Sequence, residues 1–286
     1  MTAGIPEPGP RPQFNERPCA ALLSFKPEPQ SSGDAPYAAT VEHYFEQTPS
    51  GAVLFKAMRS EALWWIRSER GVTLTSLLTA IHETNHVYDL ALSRCNGGDK
   101  TYYFDGAVWR TELRFGDTPP YAMAEKWVPA SMKASPIGRY QHYFKRIGPQ
   151  RGNDMPTLLD ELNAHITGAE LERSLIGSDI YQQFSGGNTV DANMTGTVDF
   201  MVFTLAYLRT LREDYPASWA KVKASPLLLQ HLQRLWSKSE ALLSSWPVEG
   251  AQKFLVNVAP LHDAYAAGLQ TELDRLGIIH AAAPAR

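Results

Sequence analysis

The stretch from Leu74 to Ser93, LTSLLTAIHETNHVYDLALS, constrains the fold more than any other. It contains neither glycine nor proline, Thr73 stands where a helix cap belongs, and CNGGDK follows as a stop. At about 100° per residue, Leu74, Leu77, Leu78, Ile81, Tyr88 and Leu92 align as one apolar stripe, so this helix must be covered along one face. His82 and His86 lie roughly 80–120° from Leu74 around the helix, and Glu83 about 180° from it. An ordinary core histidine belongs inside the stripe. Two histidines on its flank suit the wall of a cleft.

The rest of the chain reads as mostly helical. VLFKAMRSEALWWIRSER, Val53 to Arg70, is a run of helix formers that Gly71 stops. Two β-prone runs in Lys100 to Phe115 flank Asp105-Gly106, a hairpin signal. Loops and short helices follow to Ile147. Further helices are expected over Thr157–Leu175, over the apolar run Val198–Glu213, and over about Leu227–Ser245 and Leu261–Leu276. The expected fold is α+β, predominantly α-helical, with a small sheet and a helical C-terminal half. Residues 1–36, rich in Pro, Gly, Ser and Gln, read as an extended arm. Residues 37–286 read as one domain, with the His-bearing helix and hairpin in 37–150 and the later helices in 151–286.

His82-Glu83-Thr84-Asn85-His86 has the form HExxH. Residues four apart on a helix lie on one face, so both imidazoles can reach one zinc ion. Glu83, beside the first histidine, is aimed next to the metal, where it can take a proton from water. A purely structural metal site has no use for Glu83. On these residues the helix resembles that of the zincin metallopeptidases. The resemblance implies that His82 and His86 bind Zn2+, that Glu83 is the general base, and that the substrate is a peptide or protein.

Catalytic zinc usually takes three protein ligands and keeps one position open. VYDLALSRC after His86 excludes the metzincin continuation. Asp89, three residues past His86, reads as a partner for an imidazole or as a helix polar group. In TLLDELNAHITGAELERSL, Leu158, Leu162, Ile166 and Ala169 form a buried stripe with Glu161, His165 and Glu172 along one edge. Glu161 is the favoured third ligand, and Asp160 points about a quarter turn away. This arrangement resembles gluzincins, in which a second helix supplies a glutamate and a residue one turn later supports the site. Here that residue is His165, which would orient Glu161, orient a ligand histidine, or bind the transition state. The rival is Asp199, because GTVDF resembles half of the aspzincin motif. Oxyanion donors are sought among His165, Tyr140, Tyr143, His142 and Tyr181.

The net charge of −3 brings no basic patch, so nucleic acid is not an expected partner. No apolar run approaches the roughly 20 residues of a membrane span. The Pro-rich start lacks an apolar signal region. It suits a mature exported chain, periplasmic or secreted, with a cytoplasmic protein as the alternative. Cys19 and Cys95 either form one disulfide or stay as thiols; spacing does not decide. Two alternatives stand beside the peptidase. One is a zinc hydrolase of a non-protein amide such as a peptidoglycan cross-link. The other is an interaction protein with a vestigial site.

Overall fold

The structure is a computed structural model that describes residues 19–24, 26–27, 37–69, 71–135, 139–147, 153–184, 193–246 and 258–281. Helices dominate, and the described residues form a single two-stranded antiparallel sheet, as the sequence predicts. The helices before the sheet are α1 (Cys19–Leu23), α2 (Ala38–Phe45), α3 (Pro49–Ala57), α4 (Arg59–Ser68) and α5 (Leu74–Cys95). Strands β1 (Thr101–Phe104) and β2 (Ala107–Arg110) follow. A 3-10 segment (Tyr121–Trp127), α6 (Ala130–Lys133) and a π-helical turn (Gln141–Ile147) lead to α7 (Met155–Leu175) and α8 (Asp179–Phe184). Next come α9 (Asn193–Asp214), α10 (Pro216–Lys223), α11 (Pro226–Ser244), α12 (Ala259–Ala266) and α13 (Thr271–Leu276).

Helix α5 forms as expected. Thr73 and Ser76 exchange side-chain and backbone hydrogen bonds at its start, which satisfies two of the amides that a helix N-terminus leaves unpaired. Its predicted stripe, Leu74, Leu77, Leu78, Ile81, Tyr88 and Leu92, is buried throughout. At the hairpin tip Asp105 and Gly106 both have positive φ, 51° and 78°, the geometry of the primed turn that matches strand twist.

Three boundaries differ from expectation. Val53 to Arg70 is not one helix. Met58, with φ −136° and ψ 40°, separates α3 from α4, and its side chain is fully buried at the bend. Tertiary packing overrides helix propensity there. Leu261–Leu276 also divides in two, because Gly268 adopts φ 73° between α12 and α13. Helix α9 begins at Asn193, five residues ahead of the apolar run. Of the expected N-terminal arm, Cys19–Leu23 is helical; residues 1–18, 25 and 28–36 lie outside the described residues. Cys19 and Cys95 form a disulfide that ties α1 to the end of α5.

Two hydrophobic cores share the molecule. One gathers α2–α5; the other gathers α7, α9, α11, α12 and the hairpin. Strand β1 serves both, because successive side chains point to opposite faces: Tyr102 and Phe104 enter one core and Tyr103 the other. Helix α7 serves both along its length, with Leu158, Leu162 and Ile166 in one and Leu171 and Leu175 in the other.

The outer edge of β1 is closed by side chains. Ser93 Oγ accepts from Thr101 N at 2.9 Å, and an Asp89 oxygen accepts from Tyr103 N at 2.6 Å. Asn85 and Asn163 donate to the Tyr103 carbonyl at 3.3 and 3.0 Å. Four polar side chains of α5 and α7 thus stand in for a third strand. The expectation that Asp89 partners an imidazole gives way to this role.

Candidate metal centre

The centre lies where α5 meets α7. His82 and His86 come from adjacent turns of α5, and Glu161 from the facing side of α7. His82 Nε2 and His86 Nε2 are 3.0 Å apart. Glu161 Oε2 lies 3.6 Å from the first and 3.5 Å from the second. Tetrahedral coordination with bonds of about 2.0–2.1 Å separates donor atoms by about 3.3 Å. The three donors therefore stand at the spacing such an ion requires, and the group could hold a metal ion. Their side chains are 12, 19 and 15 % exposed, enough burial to strengthen the site's electrostatics while leaving a path in.

The two imidazoles differ at their second nitrogen: His82 Nδ1 is buried without a hydrogen-bond partner, whereas His86 Nδ1 has one. His86 Nδ1 lies 2.9 Å from Asp160 Oδ2, so the carboxylate accepts from Nδ1–H and Nε2 is left for the centre. Asp160 is missed by helical-wheel reading, which puts it a quarter turn from Glu161. An imidazole presents nitrogens on two edges of the ring, so neighbours that diverge on α7 can address opposite edges of His86. The adjacent acids at 160 and 161 are the only sequence signal of this. Lys100, buried at the start of the hairpin, donates to the other Asp160 oxygen at 2.8 Å.

His165 does not reach Glu161. Its ring lies against that of His82, with centroids 4.4 Å apart, and its Nδ1 is 3.0 Å from Asn193 Oδ1. Its Nε2 is buried without a hydrogen-bond partner. Two glycines make room for this arrangement. A Cβ on Gly196 would stand 2.3 Å from His165 Nδ1, and one on Gly168 would stand 2.3 Å from Asn193 Nδ2. Gly196, the first residue of GTVDF, thus clears space for His165. Asp199 of the same motif pairs with Arg139 Nη1 at 2.9 Å, both side chains being buried, and is not in the metal-capable group.

Among the other candidate donors, the π-helical turn carries Tyr143 to the centre, where its hydroxyl donates to Glu161 Oε2 at 3.1 Å. Such turns recur at functional sites because they displace one residue from helical register. Tyr140 is instead hydrogen-bonded to Glu125 at 2.6 Å. His142 packs beside Tyr143, and Tyr181 is buried near Glu172. Glu83 follows His82 on α5 and is partly buried.

Charge in the centre is arranged for a cation. Burial works against the Glu161 anion, yet His86 and His82 hold its carboxyl well below the usual range. Burial likewise disfavours the Asp160 anion, but Lys100 and His86 hold it low. Burial opposes a proton on His86, and the two carboxylates outweigh it, so its pKa is raised well above the ordinary value. His165 goes the other way: burial, then His82 and Arg139, keep it neutral. Burial and the neighbouring Glu161 raise the Tyr143 pKa, so its hydroxyl keeps the proton it donates. Compared with known protein families, curated proteins and solved structures, the chain matches none.

Proposed function

We propose that the protein is a zinc-dependent metallopeptidase that hydrolyses peptide bonds with an activated water. One observation carries the reading: His82, His86 and Glu161 bring three donor atoms to tetrahedral spacing, with Glu83 next along the same helix. Two imidazoles and one carboxylate match catalytic zinc, which prefers nitrogen and keeps an open position. Held by His82, His86 and Glu161, Zn2+ would supply the Lewis acidity that makes water nucleophilic near neutral pH and polarises a carbonyl.

The chain's own residues do the rest. Glu83 takes the proton of the attacking water and passes it to the leaving nitrogen. Asp160 holds the His86 ring in the tautomer that turns Nε2 inward. Tyr143 is the favoured donor to the developing oxyanion, because its one hydroxyl proton, retained and now given to Glu161, can turn from that carboxylate to the oxyanion beside it. His165 supports the His82 ring from behind. The disulfide favours an oxidising compartment, periplasmic or extracellular.

The closed edge of β1 cannot accept an extended peptide by strand addition. This favours, as a second reading, hydrolysis of a non-protein amide such as a peptidoglycan cross-link on the same residues. Purified protein is expected to contain about one zinc per chain, and His82→Ala to lose it. Glu83→Gln is expected to keep zinc and lose about 10²–10⁴-fold in hydrolysis. A wild type that binds no zinc, or a Glu83→Gln variant at wild-type rate, removes the proposal. Assays on casein-like proteins and on muropeptides separate the two substrates.

A further inference from the structure

Lys100 is 1 % exposed, although a lysine ammonium is costly to bury and packing alone would accept methionine. Its backbone is fixed on both sides: its N–H donates to the Leu113 carbonyl at 3.0 Å, and its carbonyl accepts from Thr111 N at 2.9 Å. Its Nζ lies 5.0 Å from the Tyr102 ring centroid and 5.2 Å from that of Phe115. Between those rings the ammonium faces Asp160 Oδ1 at 2.8 Å, while Asp160 Oδ2 faces His86 Nδ1 at 2.9 Å. Both oxygens of one carboxylate are thus committed, each to a partner on a different element. Without the ammonium, Asp160 Oδ1 loses its one cationic partner and only Asp89 remains beside it, so the carboxylate can turn and the His86 ring loses its fixed acceptor. The second buried carboxylate nearby, Asp89, is bound to Tyr103 N and Asn163 and also hydrogen-bonds Asp160, but it carries no positive charge and does not replace the ammonium.

We infer that Lys100 is a positioning residue of the metal centre: through Asp160 it sets the His86 ring with Nε2 turned towards the ion. The inference rests on the metal reading above. It makes the hairpin, which contributes no donor to the ion, part of the machinery that holds one.

The test is zinc affinity of the full chain, measured by competition with a chelator, for wild type, Lys100→Met, Asp160→Asn and the double variant. Lys100→Met is expected to weaken binding about 10–100-fold, as loss of a ligand's supporting partner does. In the Asp160→Asn background the same change is expected to cost less than about 3-fold, because the route through Asp160 is already cut. The His86 Nδ1–H proton in the zinc-loaded protein is expected far downfield in wild type and upfield of that in Lys100→Met. If Lys100→Met does not fold, Lys100→Gln is read in its place, and Asp160→Asn must still move the proton. A folded lysine variant that binds zinc like wild type overturns the inference while leaving the metal reading intact. Losses that simply multiply in the double variant also overturn it. A wild type that takes up no zinc overturns both.

Discussion

His86 uses both ring nitrogens, one towards Asp160 and one towards the shared donor site, and so has a single useful tautomer. Glu161 and Asp199, rivals as third ligand, have opposite surroundings. Glu161 faces two imidazoles, whereas Asp199 faces a guanidinium. Glu161→Ala is therefore expected to weaken zinc binding by at least about 100-fold with the fold retained. Asp199→Ala is expected to keep zinc in its folded fraction but to lose about 3–5 kcal/mol of stability, as breaking a buried ion pair does. Zinc titration and urea unfolding of the two variants check this, and the reverse pattern would make Asp199 the ligand. The histidines and Glu161 were legible because helical spacing fixes which residues share a face. Lys100 was not, since it reaches the centre from just ahead of β1 with no such periodicity, and Tyr143 was one of five candidate donors that no spacing could single out.

At the scale of elements, α7 and α9 meet closely because Gly168 and Gly196 admit Asn193 and His165. Gly196→Ala places a methyl within the His165 ring, so helix or ring must shift. Thermal melts are expected to show a loss of about 1–3 kcal/mol. Zinc affinity should fall with it, because the His165 ring supports that of His82. Unchanged affinity would make His165 a packing residue only. Helix α9 also depends on α7 at its start, where Glu172 accepts from Met194 N at 3.3 Å and from the Asn193 amide. The hairpin was legible from Asp105-Gly106, since few residues tolerate positive φ. The break at Met58 was not, because nothing local opposes a helix there; the bend follows from burial of that side chain.

The whole molecule carries two long-range dependences. Burial raises the Glu172 carboxyl from 4.5 to about 7 and that of Asp154 from 3.8 to about 6, against hydrogen bonds that lower each. The folded chain thus binds these protons more tightly than the unfolded one. Their contribution to stability is full below about pH 4 and is lost as pH rises through about 6–7. Metal-free protein is expected to lose on the order of 2 kcal/mol more between pH 5 and pH 8 than Glu172→Gln does, measured by chemical unfolding. Equal slopes would remove Glu172 as the source. The disulfide, joining residues 76 apart, limits the unfolded chain. Reduction is expected to cost about 2–4 kcal/mol while leaving zinc content unchanged, because Cys95 lies more than two turns of α5 beyond His86. Zinc lost on mild reduction would tie the bond to the centre.

From residue order alone came a predominantly helical fold, the buried stripe of α5, the hairpin turn, and a set of metal-capable residues on two helices. These depend on local geometry, which repeats every turn or every second residue and can be read without knowing what lies opposite. Only the tertiary structure decided that Glu161 and not Asp199 faces the histidines, that Asp160 and Lys100 stand behind His86, and that Asp89 closes a strand edge. Those outcomes depend on how α5, α7, α9 and β1 cross, and crossing is set by the sum of many packing contacts between segments far apart in the chain.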